Sequence, residues 1–301
     1  MSRITTPFTF HSTADEVIAG IDLTGRRVLI TGGASGIGLE TTRVLAGAGA
    51  DVTVAVRDVD AAARALAGVG LARAVHIVHL DLLDRASIAA CAAAWRGPMD
   101  VLVNNAGVMA PPDRKTREGW DTQFATNHLG HFALTLALHD ALASSGGARI
   151  VVVSSSSHQA SPVVFDDIHF DRRTYDPIRA YAQSKTANVL FAVGAASRWA
   201  KEGIVANALM PGAIPTPLQR HVGGMKTPLE QRKTIAQGAA TSVLLAASPL
   251  VDGVTGRYFA DCNEAALLKD DARDLAGVAP HALDPVSADR LWEESLRLLE
   301  M

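Results

Sequence analysis

A doubly wound α/β domain, with a parallel sheet and helices on both of its faces, is predicted by three features of the 301-residue sequence. Short runs rich in Val, Ile and Leu recur along the chain, most of them are continuous rather than alternating in hydrophobicity, and Ala-rich segments of helical length separate them. Strands buried on both faces lose the in–out alternation of a half-exposed strand, and parallel neighbours need the long crossovers that these spacers supply. The runs at residues 27–31, 52–56, 74–80, 101–103 and 150–153 are the first five strands, with helices over 38–48 and 61–67 among the crossovers. A helix over 179–201, a strand over 204–209, a helix over 228–247 and a short strand near 257–259 continue the order. Trp95, Trp120, Trp199 and Trp292 lie on amphipathic helical stretches and are read as core packing. No linker, repeat or low-complexity tract interrupts the pattern. Residues 1–301 are therefore read as one domain, with an N-terminal extension over 1–24, a long loop over 211–230 and a C-terminal tail over 262–301.

Composition narrows the class of protein. Hydrophobic residues make up 48% and charged residues 20%, enough apolar surface for a sizeable core and too much for a disordered chain. The 28 basic and 31 acidic residues leave a net charge of −3, with no global field to attract nucleic acid or an acidic membrane. Cys91 and Cys262 stand far apart, outside any CxxC or Cys/His spacing, so neither a disulfide framework nor a structural zinc site is expected. The N-terminal segment lacks the basic start and apolar middle of a secretory signal. The longest apolar stretches, such as 189–196, fall short of a membrane span. A soluble, cytoplasmic protein is expected.

The segment Thr31-Gly32-Gly33-Ala34-Ser35-Gly36-Ile37-Gly38 joins the first strand to the first crossover helix. Gly32 permits a tight turn, Gly36 allows close approach of a pyrophosphate, and Gly38 lets the helix pack closely, while the helix N-terminus offers free N–H groups and a positive dipole. A dinucleotide is the expected ligand, held by Gly32, Ser35, Gly36, Ile37 and Gly38. Two irregular segments, 158–177 and 211–228, follow strands and are placed at the carboxyl edge of the sheet, where open α/β folds bind ligands.

The spacing Gly-x-x-x-Gly-x-Gly resembles that of the short-chain dehydrogenase/reductase family. Asn104-Asn105-Ala106-Gly107 after the fourth strand, Tyr181 and Lys185 as Tyr-x-x-x-Lys, and Pro211-Gly212 after the sixth strand follow in the family's order, so the resemblance covers nearly the whole chain. The strings around Asn127-His128-Leu129-Gly130-His131 and Tyr181-Ala182-Gln183-Ser184-Lys185 look most like the branch of retinol dehydrogenases and related carbonyl reductases. The resemblance implies a Rossmann-type domain, an NAD(P) cofactor and an oxidoreductase that interconverts an alcohol and a carbonyl. It also implies that Asp81 and Leu82 contact adenine and that Asn105, Ala106 and Gly107 line the cofactor. Pro211, Gly212, Ile214 and Thr216 would back the nicotinamide.

The second strand ends at Val56, the position where NAD-preferring members of the family usually place an acidic residue to hold the ribose hydroxyls, and Arg57 comes next. An arginine there pairs with a 2′-phosphate that a carboxylate would repel, so NADP is favoured over NAD, with Asp58 as the opposing feature. Tyr181 and Lys185, four residues apart on a helix, share one face. A phenol acts as acid and base near neutrality only if a neighbouring cation stabilises its anion, and Lys185 supplies one. Within Ser154-Ser155-Ser156-Ser157, the family pattern puts the carbonyl-binding serine at Ser155, with Ser156 as the alternate. Asn127 matches the helix-kink asparagine that in the family binds a water linking Lys185 to solvent.

The histidines do not suggest a metal. His76 and His79 would point to opposite faces of a strand, and His128 and His131 share a helix face without a third ligand nearby. Apolar residues at 162–165 and 214–218 suggest a hydrophobic small-molecule substrate, and Gly223-Gly224 a hinge for a lid within 211–230. The expected activity is thus hydride transfer between NADP and an alcohol or carbonyl, with Tyr181 as acid/base. The rival is a non-catalytic NADP-binding regulatory or scaffold protein, which would not need the Asn127, Ser155, Tyr181 and Lys185 set. Reduction of a carbon–carbon double bond would use the same Tyr and Lys. By resemblance a homodimer or homotetramer would pair through helices at about 120–143 and 179–201, a packing that terminal segments can block.

Overall fold

The computed structural model describes residues 3–225, 227–269 and 274–301. Its strands are β1 (Arg27–Thr31), β2 (Asp51–Val56), β3 (Val75–His79), β4 (Val101–Asn104), β5 (Arg149–Val153), β6 (Val205–Met210), β7 (Tyr258–Ala260) and β8 (Asn263–Glu264). They form one sheet in the order β3-β2-β1-β4-β5-β6-β7-β8. Neighbours from β3 through to β7 pair in parallel, as the hydrophobic runs predict. The edge strand β8 departs from the all-parallel expectation and pairs antiparallel with β7. Its turn is Asp261-Cys262, both left-handed at φ 51° and 62°, which suits the twist of a two-residue hairpin. A turn without glycine carries little hairpin signal in the sequence. Here Thr241 accepts the Cys262 N–H at 3.1 Å, and Lys233 lies 2.6 Å from the Asp261 carboxylate.

The helices are α1 (Ala14–Ile18), α2 (Gly36–Gly47), α3 (Val59–Gly68), α4 (Arg85–Ala94), α5 (Thr122–Phe124), α6 (Gly130–Ala137), α7 (His139–Ala143), α8 (Pro177–Trp199), α9 (Ile235–Ala247) and α10 (Pro285–Leu299). The helix expected over 120–143 carries its kink at Asn127, where a π turn at Ala125–Leu129 separates α5 from α6. One expectation needs correction. The helix expected from 228 begins at Ile235, where Thr234 and Gln237 form a capping box that satisfies free backbone N–H groups.

Alternate residues of each strand enter different cores. Val28, Ile30, Val52 and Val54 pack with Leu45 of α2 and with Val243 and Leu244 of α9. Leu29, Leu102, Ile150 and Val152 pack on the other face with Phe132 of α6 and with Val189 and Phe191 of α8. Both chain-terminal regions contribute: Ala14, Val17 and Leu23 to the first core, Trp292 and Leu299 of α10 to the second. Trp199 and Trp292 are buried there, while Trp95 and Trp120 pack against the same cluster partly exposed. A Cβ on Gly194 of α8 would lie 3.2 Å from the Trp292 ring, so α10 lies closely across α8. Truncating a tryptophan buried in this way costs about 3–5 kcal/mol.

Before α1, the backbone runs beside the hairpin. Ile4 N–H donates to the Glu264 carboxylate at 2.8 Å, Glu264 N–H donates to the Ile4 carbonyl at 3.0 Å, and the Asn263 amide reaches the Phe8 carbonyl at 2.9 Å. The exposed N–H and C=O groups of the edge strand are thereby covered. At the centre of the sheet the strand order reverses between β1 and β4. The connections leave β1 toward β2 and β3 on one side, and β4 toward β5 to β7 on the other, which opens a crevice at the carboxyl ends of the strands.

Candidate active site

A cleft of about 1030 Å³ occupies that crevice. Its wall includes every residue expected to hold the cofactor, together with Ser155, while Asn127 stands behind it.

The β1–α2 turn forms one side. Gly32 is left-handed at φ 65° and Gly36 at φ 52°, conformations costly for other residues. A Cβ on Gly38 would sit 2.4 Å from the Gly32 carbonyl oxygen, so only glycine lets α2 start this close to the turn. Ser35 precedes α2 in the capping position without making a side-chain cap, which leaves the first N–H groups of the helix turned toward the cleft. Across the cleft, Thr216 packs 3.4 Å from where a Gly36 Cβ would lie, and Ile214 is buried against Gly238 of α9.

The β4 end is braced by Thr31. Its hydroxyl oxygen accepts the N–H groups of Asn105 and Ala106 at 2.9 and 3.0 Å, and His131 Nε2 lies 2.8 Å from it. His131 Nδ1 donates to the Asn127 carbonyl at 3.0 Å, and burial draws its pKa down to about 4, so the neutral ring accepts the Thr31 proton at Nε2. The Asn105 amide reaches back to the Thr31 carbonyl at 2.8 Å. The sequence reading considered His131 only as a metal ligand and missed this brace. His128, its companion, is buried against Ser295 of α10 at 2.8 Å. Among the described residues no three His, Cys, Asp or Glu side chains gather as a metal site.

At the far end of the cleft, Asp58 is spent on capping α3, accepting the Ala61 N–H at 2.9 Å. Arg57 beside it is exposed and has no ion-pair partner among the described residues. Asp81 accepts the Leu83 N–H at 3.0 Å, and α4 is capped by Asp84, which accepts the Ala86 N–H at 2.9 Å.

The other end gathers the reactive groups. Asp176 caps α8 by accepting the Ile178 and Arg179 N–H groups at 2.8 and 3.0 Å, with Pro177 opening the helix. Tyr181 and Lys185 then face the cleft one turn apart, the Lys185 ammonium 5.6 Å from the Tyr181 ring centroid. Lys185 donates to the Val153 carbonyl at 3.0 Å. Burial draws Lys185 down to about 8 and pushes the Tyr181 phenol up to about 12, against the opposing pull of a hydrogen bond from Ser155. Of the four serines, Ser154 is turned inward to the Lys185 carbonyl at 2.7 Å, and Ser155 is the one facing Tyr181. Asn127 lies in the π turn, where its amide accepts the Val108 N–H at 2.8 Å and donates to the Val108 carbonyl and Ser184 hydroxyl at 3.0 and 2.9 Å.

The substrate side differs from expectation. Residues 162–165 do not line the cleft: Val163 and Phe165 pack with Phe124, Leu190 and Leu291 in a separate apolar cluster. Of the segment 158–177, only Pro177 reaches the wall. Met109 and Ala110 beyond β4, Ile178 of α8, and Leu275 near the C-terminus take their place beside Leu218 and Met225. No periodicity or motif in the sequence marks Met109 or Leu275.

The fit to a dinucleotide is steric and chemical. Glycines stand where side chains would fill the turn, the first helical N–H groups are uncapped by Ser35, and an unpaired arginine stands at one end of the cleft with a buried Tyr/Lys pair at the other. Comparisons with known proteins agree with this geometry. The family model described as short chain dehydrogenase matches residues 26–226. A Streptomyces lividans protein named as a probable oxidoreductase is 57% identical over 290 residues, covering 91% of this chain and 97% of its own. Human retinol dehydrogenase 13 is 37% identical, with 91% of this chain and 85% of that protein covered. A solved structure of an uncharacterized protein from Mycobacterium paratuberculosis superposes with a TM-score of 0.77 at 31% identity, covering 97% of this chain and 98% of that one.

Proposed function

The chain belongs to the short-chain dehydrogenase/reductase family, and we propose that it is an NADP-dependent enzyme interconverting an alcohol and a carbonyl on an apolar small molecule. One observation carries this reading: the buried Tyr181–Lys185 pair with Ser155 stands at one end of a cleft whose other end holds the unpaired Arg57. When bound, the nicotinamide supplies or accepts the hydride exchanged with the carbonyl carbon.

The protein's own groups manage the oxygen. Ser155 donates from Oγ to the substrate oxygen and holds it beside Tyr181 as charge develops there. Tyr181 delivers the proton from Oη in reduction and takes it back in oxidation. Lys185, fixed to the Val153 carbonyl, offsets the burial that disfavours the phenolate. Asn127, with its amide committed to Val108 and Ser184, holds the wall behind Lys185. Arg57 recognises the 2′-phosphate, because the neighbouring carboxylate of Asp58 is turned into the α3 cap.

A cytoplasmic location is the companion reading, supported by two free, buried cysteines, Cys91 and Cys262. No helix among the described residues is long and apolar enough to cross a membrane. Pairing through α8 would require displacing α10 and its buried Trp292, which favours a monomer over the homodimer or homotetramer of the resemblance.

Thermal unfolding without ligand, with NADPH and with NADH at equal concentration is the test, followed by an NADPH-coupled panel of apolar aldehydes and ketones. At a hundredfold excess over its dissociation constant, a native-state ligand adds about 2.7 kcal/mol, a shift of several degrees. A larger shift with NADPH and turnover of a carbonyl are expected. A larger shift with NADH refutes the role of Arg57, and no shift with either refutes the dinucleotide reading.

A further inference from the structure

One buried histidine ties the turn carrying Ser155 to a segment more than a hundred residues further along the chain. His158 is 0% exposed and does not line the cleft. Its Nδ1 lies 2.7 Å from the Ser155 carbonyl oxygen, and its Nε2 lies 3.1 Å from the Ala279 backbone nitrogen. A carbonyl only accepts and a backbone N–H only donates, so both bonds require a ring protonated at Nδ1 and bare at Nε2. Burial keeps the ring neutral, drawing its pKa down to about 4.

Further bonds join the same two pieces. The Gln159 amide donates to the carbonyls of Asp274 and Gly277 at 2.6 and 3.0 Å, and His281 Nε2 donates to the His158 carbonyl at 3.0 Å. Thr186 of α8 donates to that same carbonyl at 3.0 Å, and the His158 ring packs 4.8 Å from that of Tyr258. The segment held in this way carries Leu275, which lines the substrate side of the cleft. The groups of the reaction and one wall of the substrate site thus meet at a side chain that does not itself line the cleft.

We propose that His158 is a positioning residue, which holds the Ser155 backbone, and with it the hydroxyl facing Tyr181, in register with the segment 274–282 that walls the substrate side. The inference rests on the reading of Ser155 as the group that orients the substrate oxygen. It acts by fixing where the Ser155 hydroxyl sits relative to that wall.

Two variants separate the two ring nitrogens. In His158→Asn the amide nitrogen replaces Nδ1 and keeps the bond to Ser155, whereas in His158→Gln the longer side chain reaches Ala279 and loses Ser155. With the carbonyl substrate found in the panel above, His158→Gln should lower kcat about tenfold with NADPH affinity unchanged, since small misplacements of reacting groups are costly. His158→Asn should restore most of that loss. In a Ser155→Ala background, His158→Gln should cost nothing further, because the two changes act through one group. An equal loss with and without the Ser155 hydroxyl, or no loss at all, overturns the positioning role.

Amide hydrogen exchange reads the clamp without turnover. Exchange over 155–160 should quicken in His158→Gln, and over 274–282 in His158→Asn; unchanged exchange in both overturns the proposal. A wild-type protein inactive on every carbonyl refutes the functional reading instead, and the exchange data still decide the clamp. If neither variant folds, exchange in the wild-type protein decides: the Ala279 amide, held by His158 Nε2, should be among the slowly exchanging ones, and fast exchange there overturns the proposal.

Discussion

The phosphate-loop half of the cleft is made by turns next to strand ends, whereas the substrate half is made by segments that meet only in the folded chain. In the first, Gly32 to Gly38, Arg57, Asp81 and Asn105 to Gly107 each lie within a few residues of the end of β1, β2, β3 or β4. In the second, Met109, Ile178, Leu275 and the pair Leu218 and Met225 come from four separate stretches. The constraint on the first half is steric and local, since a Cβ on Gly38 would meet backbone at 2.4 Å. The constraint on the second is only that apolar surface should face the cleft, which many residues satisfy. A shared cofactor site with a variable substrate site follows from that difference.

The contrast can be broken at four points, in falling order of effect. Tyr181→Phe should lower kcat by about a thousandfold while NADPH binds as before, because only the proton-transfer group is removed; turnover near wild type would end the assignment. Gly38→Val forces α2 away from the Gly32 turn, so NADPH affinity should drop by roughly a hundredfold and the melting temperature by several degrees. Unchanged affinity would mean that the start of α2 is not the anchor. Arg57→Ala should weaken NADPH by about tenfold and leave NADH alone, as expected for one charge-assisted contact; an equal effect on both cofactors would detach Arg57 from the 2′-phosphate.

The smallest effect concerns pH. Burial lowers Lys185 from 10.5 to about 8 in the cofactor-free protein, so between those values the unfolded chain holds a proton that the folded chain has released. Stability contributed by this group therefore rises with pH across that window, and below it the buried charge is a standing cost. Relative to Lys185→Met, the wild-type melting temperature should climb by about a degree or more between pH 8 and pH 10.5. Parallel curves would show that Lys185 does not titrate there.

The same contrast explains what could be read beforehand. Strands announce themselves when both faces are buried, because Val28 to Ile30 or Ile150 to Val153 have no polar residue to interrupt them. Gly38 and the Tyr181–Lys185 spacing were legible because one residue type, or one helical turn, is required. The π geometry of the kink at Asn127 was not, since the asparagine marks a kink and not the kind of turn that makes it. Nor was Phe165, whose apolar side chain fits a core as well as a cleft. The roles of His131 and His158 were not legible either, because their partners are the Thr31 hydroxyl, a hundred residues from His131, and backbone atoms of Asn127, Ser155 and Ala279, which leave no trace in composition.

The hairpin at Asp261-Cys262 has a consequence for synthesis. Ile4 and Phe8 leave the ribosome some 255–260 positions before their partners Glu264 and Asn263. At about 5–20 residues per second, that interval is roughly 13–52 s. Through most of that interval the arm has no strand to lie beside, and the Phe10 ring lacks the Lys233 ammonium that sits 4.9 Å from its centre. Sealing of the sheet edge is therefore a late event in the life of each new chain. A nascent chain stalled before residue 264 would carry its arm unpaired, in the form quality-control factors are built to meet.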